Sequence, residues 1–204
     1  MPSVQLLILI AICGICSIAN ADDWPQFRGP SGNATASDSD PPTTWSDSEN
    51  IVWKTALPGR GASSPIVSGK HVFLTAYTGF GVDEQEPGDK ANLRLHVLCF
   101  ERNSGKLLWD KSIKASPSTQ KLSPRIADHG YATATPATDG EAVYASFGVS
   151  GVVACDMDGN LLWQAAIGDG TAGFGSAASP VVYGDLVYVN ASIESNTLFA
   201  FDKQ

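Results

Sequence analysis

The chain has 204 residues, a formal net charge of −8 at pH 7 and 43% hydrophobic residues. An acidic protein whose Lys and Arg residues are scattered is poorly suited to bind nucleic acid or an anionic membrane surface. We therefore expect neither as a partner.

The first 21 residues carry no charge and contain an apolar run from Val4 to Ala19. The run ends in Ala19-Asn20-Ala21, a pattern of small residues that is typical of signal-peptide cleavage sites. A membrane span needs ~20 apolar residues, so this run is short for one. We predict a signal peptide over residues 1–21 and a periplasmic or secreted protein without a membrane span after cleavage. A retained membrane anchor is the alternative.

An extended N-terminal arm is predicted over residues 22–49, because residues 31–50 are rich in Ser, Asp, Thr and Pro. A first strand is predicted at Asn50–Leu57, which contains Trp53.

After this strand, one pattern recurs along the chain: an aliphatic stretch, a turn, Gly and an apolar run that ends in Trp. The first copy ends at Trp109, the second ends at Trp163, and a third begins at Ala200. Each copy is preceded by a Pro-centred strand and by an alternating strand that follows a Gly turn. Pro136 and Pro180 are 44 residues apart, within the ~40–45 residues of a four-stranded blade. The sequence therefore predicts an all-β fold, a β-propeller of four-stranded blades.

The sequence stops partway through its third repeat. We expect about 2.75 blades plus an N-terminal strand, which is an incomplete propeller. The predicted blades cover about residues 58–113, 131–167 and 174–204 of a partial propeller over 50–204. Because open end blades expose strand edges, we expect the chain to be an N-terminal fragment, with the missing blades in the same longer chain or in a partner.

The Trp pattern resembles the Ala-x-Asp-x-x-Thr-Gly-Lys-x-x-Trp motif of the PQQ-like (pyrroloquinoline quinone) β-propeller repeats. The first copy matches the motif at six positions, namely Cys99, Glu101, Ser104, Gly105, Lys106 and Trp109. The second copy has a turn that is one residue shorter and keeps Ala154, Asp156, Gly159 and Trp163. The segment Trp24–Pro30 also resembles the start of secreted bacterial members. In this family the motif Trp packs against the neighbouring blade, which implies blade-docking roles for Trp53, Trp109 and Trp163.

Two cysteines lie beyond the predicted signal peptide, Cys99 and Cys155. They occupy equivalent strands of successive blades but are one position out of phase, so their side chains should point to opposite faces. We expect buried free thiols rather than a disulfide.

Two long loops carry the strongest indication of a binding site. The connection between the second and third strands of the first blade covers Thr78–Asn92, and the connection to the next blade covers Lys114–Gly130. Antiparallel blades place both of these connections on one face, and long loops on a rigid scaffold often bind ligands. The first loop is acidic and the second is basic, so ion pairs between the two loops are a further expectation. Tolerated surface insertions are the alternative.

Candidate ligand-binding residues are found where the chain enters the innermost strands, near the propeller axis. An anionic or planar ligand suits this mixture of cationic and aromatic side chains, which comprises Arg60, Ser63, Arg125, His129, Tyr131 and Phe174. Packing or turn-stabilising roles are the alternative for each. No catalytic residue and no metal ligand is predicted, since no three His, Cys or acidic residues show metal-ligand spacing.

These observations favour an exported, non-catalytic propeller that binds a protein or small-molecule ligand on the face with the long loops. No cofactor is predicted for that function. The family resemblance implies one alternative, a quinoprotein dehydrogenase that uses PQQ with calcium, beside scaffold propellers similar to BamB. Another alternative is the sensor region of a larger receptor. Whether the protein is an enzyme stays open at this stage, with a binding protein favoured.

Overall fold

Three antiparallel sheets follow one another along the chain. The structure is a computed structural model that describes residues 23–36, 40–123, 125–126 and 130–204. The first sheet, blade 1, contains β1 (Ile66–Ser68), β2 (His71–Thr78), β3 (Arg94–Glu101) and β4 (Leu107–Lys114). Blade 2 contains β5 (Ala137–Thr138), β6 (Ala142–Ser146), β7 (Val152–Asp156) and β8 (Leu161–Ala165). Blade 3 contains β9 (Val181–Tyr183), β10 (Leu186–Ala191) and β11 (Thr197–Asp202).

Within each blade the strands pair in chain order, which makes every sheet a meander. The sheets of four, four and three strands confirm the predicted incomplete β-propeller. Helical structure in the described residues is limited to short 3-10 turns, found at Lys90–Asn92, Pro117–Lys121 and Gly148–Ser150 and at residues 125–126. None of the described helices is long and apolar enough to cross a membrane.

The repeat is visible in the details of the strands as well as in their order. The register between the third and fourth strands shifts at Cys99/Phe100 in blade 1 and at Ala154/Cys155 in blade 2. Both shifts fall between the first and second positions of the motif in its two copies. The sequence repeat is therefore also a repeat of backbone irregularity.

The hydrophobic core is divided into layers between the blades. One layer joins blades 1 and 2 and includes Phe73, Val97 and Val153, all fully buried. A second layer joins blades 2 and 3 around Tyr144 and Val187. Because burying one such side chain contributes roughly 1.5–3 kcal/mol, these layers hold successive blades together.

The motif tryptophans all contact the following repeat in the same way. The indole Nε1–H of Trp53 donates to the carbonyl oxygen of Arg102 at 2.8 Å. Trp109 donates to the carbonyl of Met157 at 2.8 Å, and Trp163 donates to that of Lys203 at 3.1 Å. The three acceptors hold the same position in the three motif copies, three residues after the start of each.

The motif glycine is required because the tryptophan ring of the preceding repeat lies against it. Gly105 and Gly159 both adopt the left-handed conformation, with φ of +68° and +85°. A Cβ on Gly105 would lie 2.3 Å from Trp53, and one on Gly159 would lie 2.7 Å from Trp109. Gly and Trp of the motif thus form one contact across two repeats.

The motif acid stabilises the turn that contains this glycine. Glu101 accepts a hydrogen bond from the backbone N–H of Ser104 at 2.7 Å. Asp156 accepts from the N–H groups of Asp158 and Asn160, and Asp202 accepts from that of Gln204. In all three copies the motif acid thus accepts from backbone N–H groups that follow it, although the spacing of these bonds differs.

The predicted first strand, Asn50–Leu57, belongs to no sheet in the described part of the chain. Side chains hold this segment against blade 1 instead, since Thr55 donates its hydroxyl to the carbonyl of Gly105 at 2.7 Å beside the Trp53 contact. Trp53 thus makes the contact that the fourth strand of a blade makes with its successor. The segment forms no ladder of backbone hydrogen bonds, because no described strand lies beside it.

The first described residues of the predicted arm take part in the propeller. Trp24 exchanges two backbone hydrogen bonds of 2.9 Å with Val67 of β1, and the N–H of Thr138 in β5 donates to Pro25. This segment therefore links the innermost strands of blades 1 and 2. The predicted signal peptide, residues 1–21, lies outside the described residues.

Cys99 and Cys155 are buried free thiols. Burial raises the pKa of Cys99 to about 12 and that of Cys155 to about 11. Because the thiolate is the reactive form, both groups are chemically unreactive at neutral pH.

Candidate ligand-binding cavity

The two long loops border one open cavity of about 850 Å³ at the end of blade 1. Phe80 and Lys90 belong to the loop between β2 and β3, Leu122 and Tyr131 belong to the connection to blade 2, and Arg60 precedes β1. The volume falls within the ~300–1,000 Å³ of small-molecule sites. Both insertions found in the sequence therefore contribute to the same space.

The loop between β2 and β3 is held in shape by its own short-range hydrogen bonds. Asp83 accepts from the backbone N–H groups of Gln85 and Glu86 at 2.8 and 3.2 Å, which lowers the pKa of its carboxyl group. Asp89 accepts from the N–H of Ala91 at 2.8 Å and begins the 3-10 turn there. Two of the four acids in this loop thus shape the wall of the cavity.

Aromatic rings line one side of the cavity. The ring of Tyr131 lies edge-on to Tyr77 at 5.3 Å and to Phe80 at 6.2 Å between centroids. Burial, followed by the neighbouring Tyr77, raises the pKa of Tyr131 to about 12, so its hydroxyl is protonated at neutral pH. Among the described residues no hydrogen-bond partner is found for this hydroxyl, so it remains an available donor in a residue that lines the cavity.

Lys90 supplies a cation at the same wall. Its Nζ lies 5.9 Å from the centroid of the Phe80 ring and 3.4 Å from the carbonyl oxygen of Leu122. Partial burial lowers the pKa of this amine. Within the described ranges no carboxylate forms an ion pair with Lys90. An anionic ligand group would therefore find an uncompensated charge here.

The backbone of Arg60 is fixed by hydrogen bonds, whereas its side chain is partly exposed. Its N–H donates to Tyr77 at 3.1 Å, and its carbonyl accepts from the N–H of Tyr77 at 2.7 Å. The guanidinium Nη1 lies 3.3 Å from Oε1 of Glu84, and the two side chains are 46% and 83% exposed. Such an open ion pair contributes little stability, so the guanidinium can exchange partners at low cost.

The structure separates the six predicted ligand-binding residues into different places. Arg60 and Tyr131 line the large cavity, whereas Arg125 and Phe174 lie together elsewhere, with the guanidinium carbon 5.8 Å from the ring centroid. Ser63 instead holds the segment before β1 against β2, because its hydroxyl donates to the carbonyl of Thr75 and accepts from the N–H of Thr75. His129 lies outside the described residues.

The expected ion pairs between the acidic and the basic loop do not form among the described residues. Lys121 pairs with Asp169, in the connection between blades 2 and 3, and the acidic loop pairs with Arg60 through Glu84. The reason is the position of Lys121 at the end of a 3-10 turn that packs toward blade 2. The two loops contact each other through Lys90 and Leu122 instead.

Sequence reasoning missed Tyr77, Phe80 and Lys90. Tyr77 continues the alternation of β2, and its position next to the loop was the available signal. Phe80 and Lys90 lie in a loop whose acidic residues dominated its interpretation, although an aromatic and a basic residue in an inserted loop are themselves candidates for ligand contacts.

In residues 23–36, 40–123, 125–126 and 130–204, no three His, Cys, Asp or Glu side chains are grouped as a metal site.

A known protein family matches most of the chain. The model of the family described as outer membrane protein assembly factor BamB matches residues 33–204, so the chain belongs to that family. The family match covers all three blades. A comparison with curated proteins gives no match.

Solved structures of related propellers resemble the chain at low sequence identity. BamB from Moraxella catarrhalis has a TM-score of 0.46 and 18% identity, over 74% of this chain and 36% of that structure. A europium-containing methanol dehydrogenase has a TM-score of 0.46 and 17% identity, over 68% and 22%. The quinohemoprotein alcohol dehydrogenase ADHIIG from Pseudomonas putida HK5 has 0.45 and 15%, over 74% and 20%. The chain thus spans little more than a third, or less, of each of these structures.

Proposed function

We propose that this protein is an exported, non-catalytic propeller that binds a protein or small-molecule ligand at the cavity between its two long loops. The observation that carries the proposal is the convergence of both insertions on one space of about 850 Å³. Insertions that were merely tolerated at the surface would have no reason to enclose a common cavity.

The chemistry of the walls indicates what the ligand presents. The Lys90 amine has no carboxylate partner among the described residues, and the Tyr131 hydroxyl is a free donor there. The adjoining rings of Phe80 and Tyr77 offer apolar and edge contacts. A ligand with a carboxylate or phosphate group beside an apolar or planar portion fits this wall best.

Export and the outer membrane are part of the same proposal. The name of the family refers to outer membrane assembly, and the sequence predicts a cleavable signal peptide over residues 1–21. We infer that the mature protein acts in the periplasm or outside the cell. We also infer that its propeller is completed by further blades, either from the same longer chain or from a partner.

Site-specific photocrosslinking in the producing cells tests the binding face. A photoreactive residue is placed at Gln85, an exposed position of the loop between β2 and β3, and in a second protein at Asn103, an exposed position of the tight turn between β3 and β4. The proposal predicts a discrete crosslinked species from position 85 that is absent from position 103. Equal crosslinking at both positions would contradict it.

A small ligand requires a different readout. Native mass spectrometry of the protein purified from its own cells would detect a bound mass, and Lys90→Met removes the amine while it keeps the apolar stem. We expect the variant to lose the bound mass. A mass retained by the variant would place the ligand elsewhere.

A further inference from the structure

Glu194 is a buried carboxylate that lacks part of its hydrogen bonding. It lies between β10 and β11 of blade 3 and is 4% exposed. Its Oε2 atom is buried and has no hydrogen-bond partner. Buried polar groups almost always have partners, and an ionised carboxylate in particular is costly to bury alone.

The backbone around Glu194 is closely packed, so the side chain is held where it is. Its carbonyl accepts from the N–H of Gly170 at 2.9 Å. A Cβ on Gly168 would lie 2.3 Å from the same carbonyl oxygen, and a Cβ on Gly148 would lie 3.1 Å from Oε1. Loops of blades 2 and 3 therefore close around this residue.

A second, small cavity lies beside Glu194. It has a volume of about 20 Å³ and is lined by Glu194 and by hydroxyl residues that include Ser146, Ser150, Thr171 and Ser176. A single water or ion needs about 10–15 Å³, so one such particle fits and a lysine side chain does not. The hydroxyl of Ser150 already accepts from the N–H of Ser116 at 3.0 Å, which orients its oxygen.

Charge distinguishes a water from a cation at this position. No positively charged group of the described residues forms an ion pair with Glu194. A water molecule would offer the carboxylate a hydrogen-bond donor but would leave its negative charge uncompensated in a low-dielectric site. A single positive charge neutralises one carboxylate, and oxygen atoms are the ligands that hard cations prefer.

We infer that Glu194 binds a monovalent metal cation, Na⁺ or K⁺, in the small cavity between the loops of blades 2 and 3. This site adjoins the large cavity of blade 1, because Leu122, Gly130 and Tyr131 line both. The inference does not depend on the function proposed for that cavity. Its consequence is structural: the ion joins the two loops, so that salt identity affects the stability of this part of the propeller.

Thermal unfolding of the native protein in NaCl, KCl and choline chloride at equal ionic strength tests the inference. Choline is too large for the cavity, so it controls for screening of surface charge. At about 100 times the dissociation constant of the ion, we expect a Tm higher by about 3 °C or more in NaCl or KCl. The variant Glu194→Gln should lose this difference, and the control Glu86→Gln, in the exposed loop of blade 1, should keep it.

Three results would overturn the inference. One is an equal Tm of the native protein in all three salts, because no alkali cation would then be bound at Glu194. Another is retention of the sodium or potassium effect by Glu194→Gln, which would place the ion at another site. A rise in Tm with millimolar CaCl₂ that is absent with NaCl and KCl would contradict the monovalent charge. The native protein alone decides the first and third results, whatever the variant does.

Discussion

The two ends of the blades differ in what their sequences repeat. At the end with the tight turns, the same acid, glycine and tryptophan positions recur, and each performs the same contact in successive repeats. At the end with the long loops, the connections differ in length and composition, and two cavities lie there. The repeated residues of this chain therefore hold blades together, whereas residues that depart from the repeat form the candidate sites.

Removal of a motif tryptophan should cause the largest loss of stability, because the ring holds successive blades together. Trp109→Ala removes a large ring from the layer between blades 1 and 2 together with its hydrogen bond to Met157. We expect the free energy of unfolding to fall by about 3 kcal/mol, measured by denaturant titration. The matched control is Trp45→Ala, because Trp45 is 67% exposed. A loss of similar size in both variants would contradict the docking role.

Glycine substitutions separate conformational strain from contact with tryptophan. Gly159→Ala introduces a Cβ 2.7 Å from Trp109 at a φ of +85°, and we expect a loss of about 2–3 kcal/mol. Gly69→Ala is the control, since Gly69 also has positive φ (+53°) but has nothing within 4 Å of its Cβ position. It should cost about 1 kcal/mol. Equal effects would show that the ring contact adds nothing.

The join between blades 2 and 3 should weaken in acid through Asp139. Burial raises the pKa of this carboxyl, but N–H donors of Ala142 and Glu141 and the ammonium of Lys203, 3.1 Å away, lower it more. The folded pKa is therefore below the ordinary 3.8. Its stabilisation is present above pH 3.8 and is lost as the pH falls through the folded pKa.

The variant Asp139→Asn tests this dependence on pH. We expect it to be less stable than the native protein by about 1–2 kcal/mol at pH 7, with a difference that narrows below pH 3.8 in denaturant titrations. Asp185→Asn is the control, because Asp185 is 98% exposed and 3.9 Å from the same amine. A difference that stays constant from pH 7 to pH 3 would exclude a charged role for Asp139.

The smallest effect on stability is expected at the large cavity. Arg60→Ala removes one partner of an exposed ion pair, and the free energy of unfolding should change by no more than about 0.5 kcal/mol. The same variant should reduce ligand binding at this site. A large loss of stability would make Arg60 part of the scaffold and would remove the contrast between the two blade ends.

The sequence predicted the fold because the fold depends on short patterns that recur. The Gly turns, the Pro-centred strands and the Trp motif each recur along the chain. A strand that is ambiguous in one repeat can therefore be assigned from the equivalent strands of the other repeats. The structure of Asn50–Leu57 was harder to predict, since side chains rather than strand pairing hold this segment against blade 1 in the described chain. Lys121 was expected to form an ion pair with the acidic loop. It pairs with Asp169 instead, because of the orientation of the 3-10 turn that ends at Lys121.

The sites were less predictable than the fold for the same physical reason. Loop length predicted where a cavity would lie, but its walls depend on non-repeated residues such as Phe80 and Lys90, whose orientation follows from loop conformation. Glu194 gave no signal at all in the sequence, because a lone acid in a turn is ordinarily exposed. Its burial results from the close approach of two glycine-containing loops.

The most direct test of the division between the two blade ends combines binding and stability in one variant. Arg60→Glu reverses the charge at the large cavity, and it is introduced into the protein with the photoreactive residue at position 85. Our account predicts that the crosslinked species disappears while the free energy of unfolding stays within about 0.5 kcal/mol of that of the parent protein. Undiminished crosslinking in a stable, folded variant would contradict the claim that the loop-rich end is the binding site.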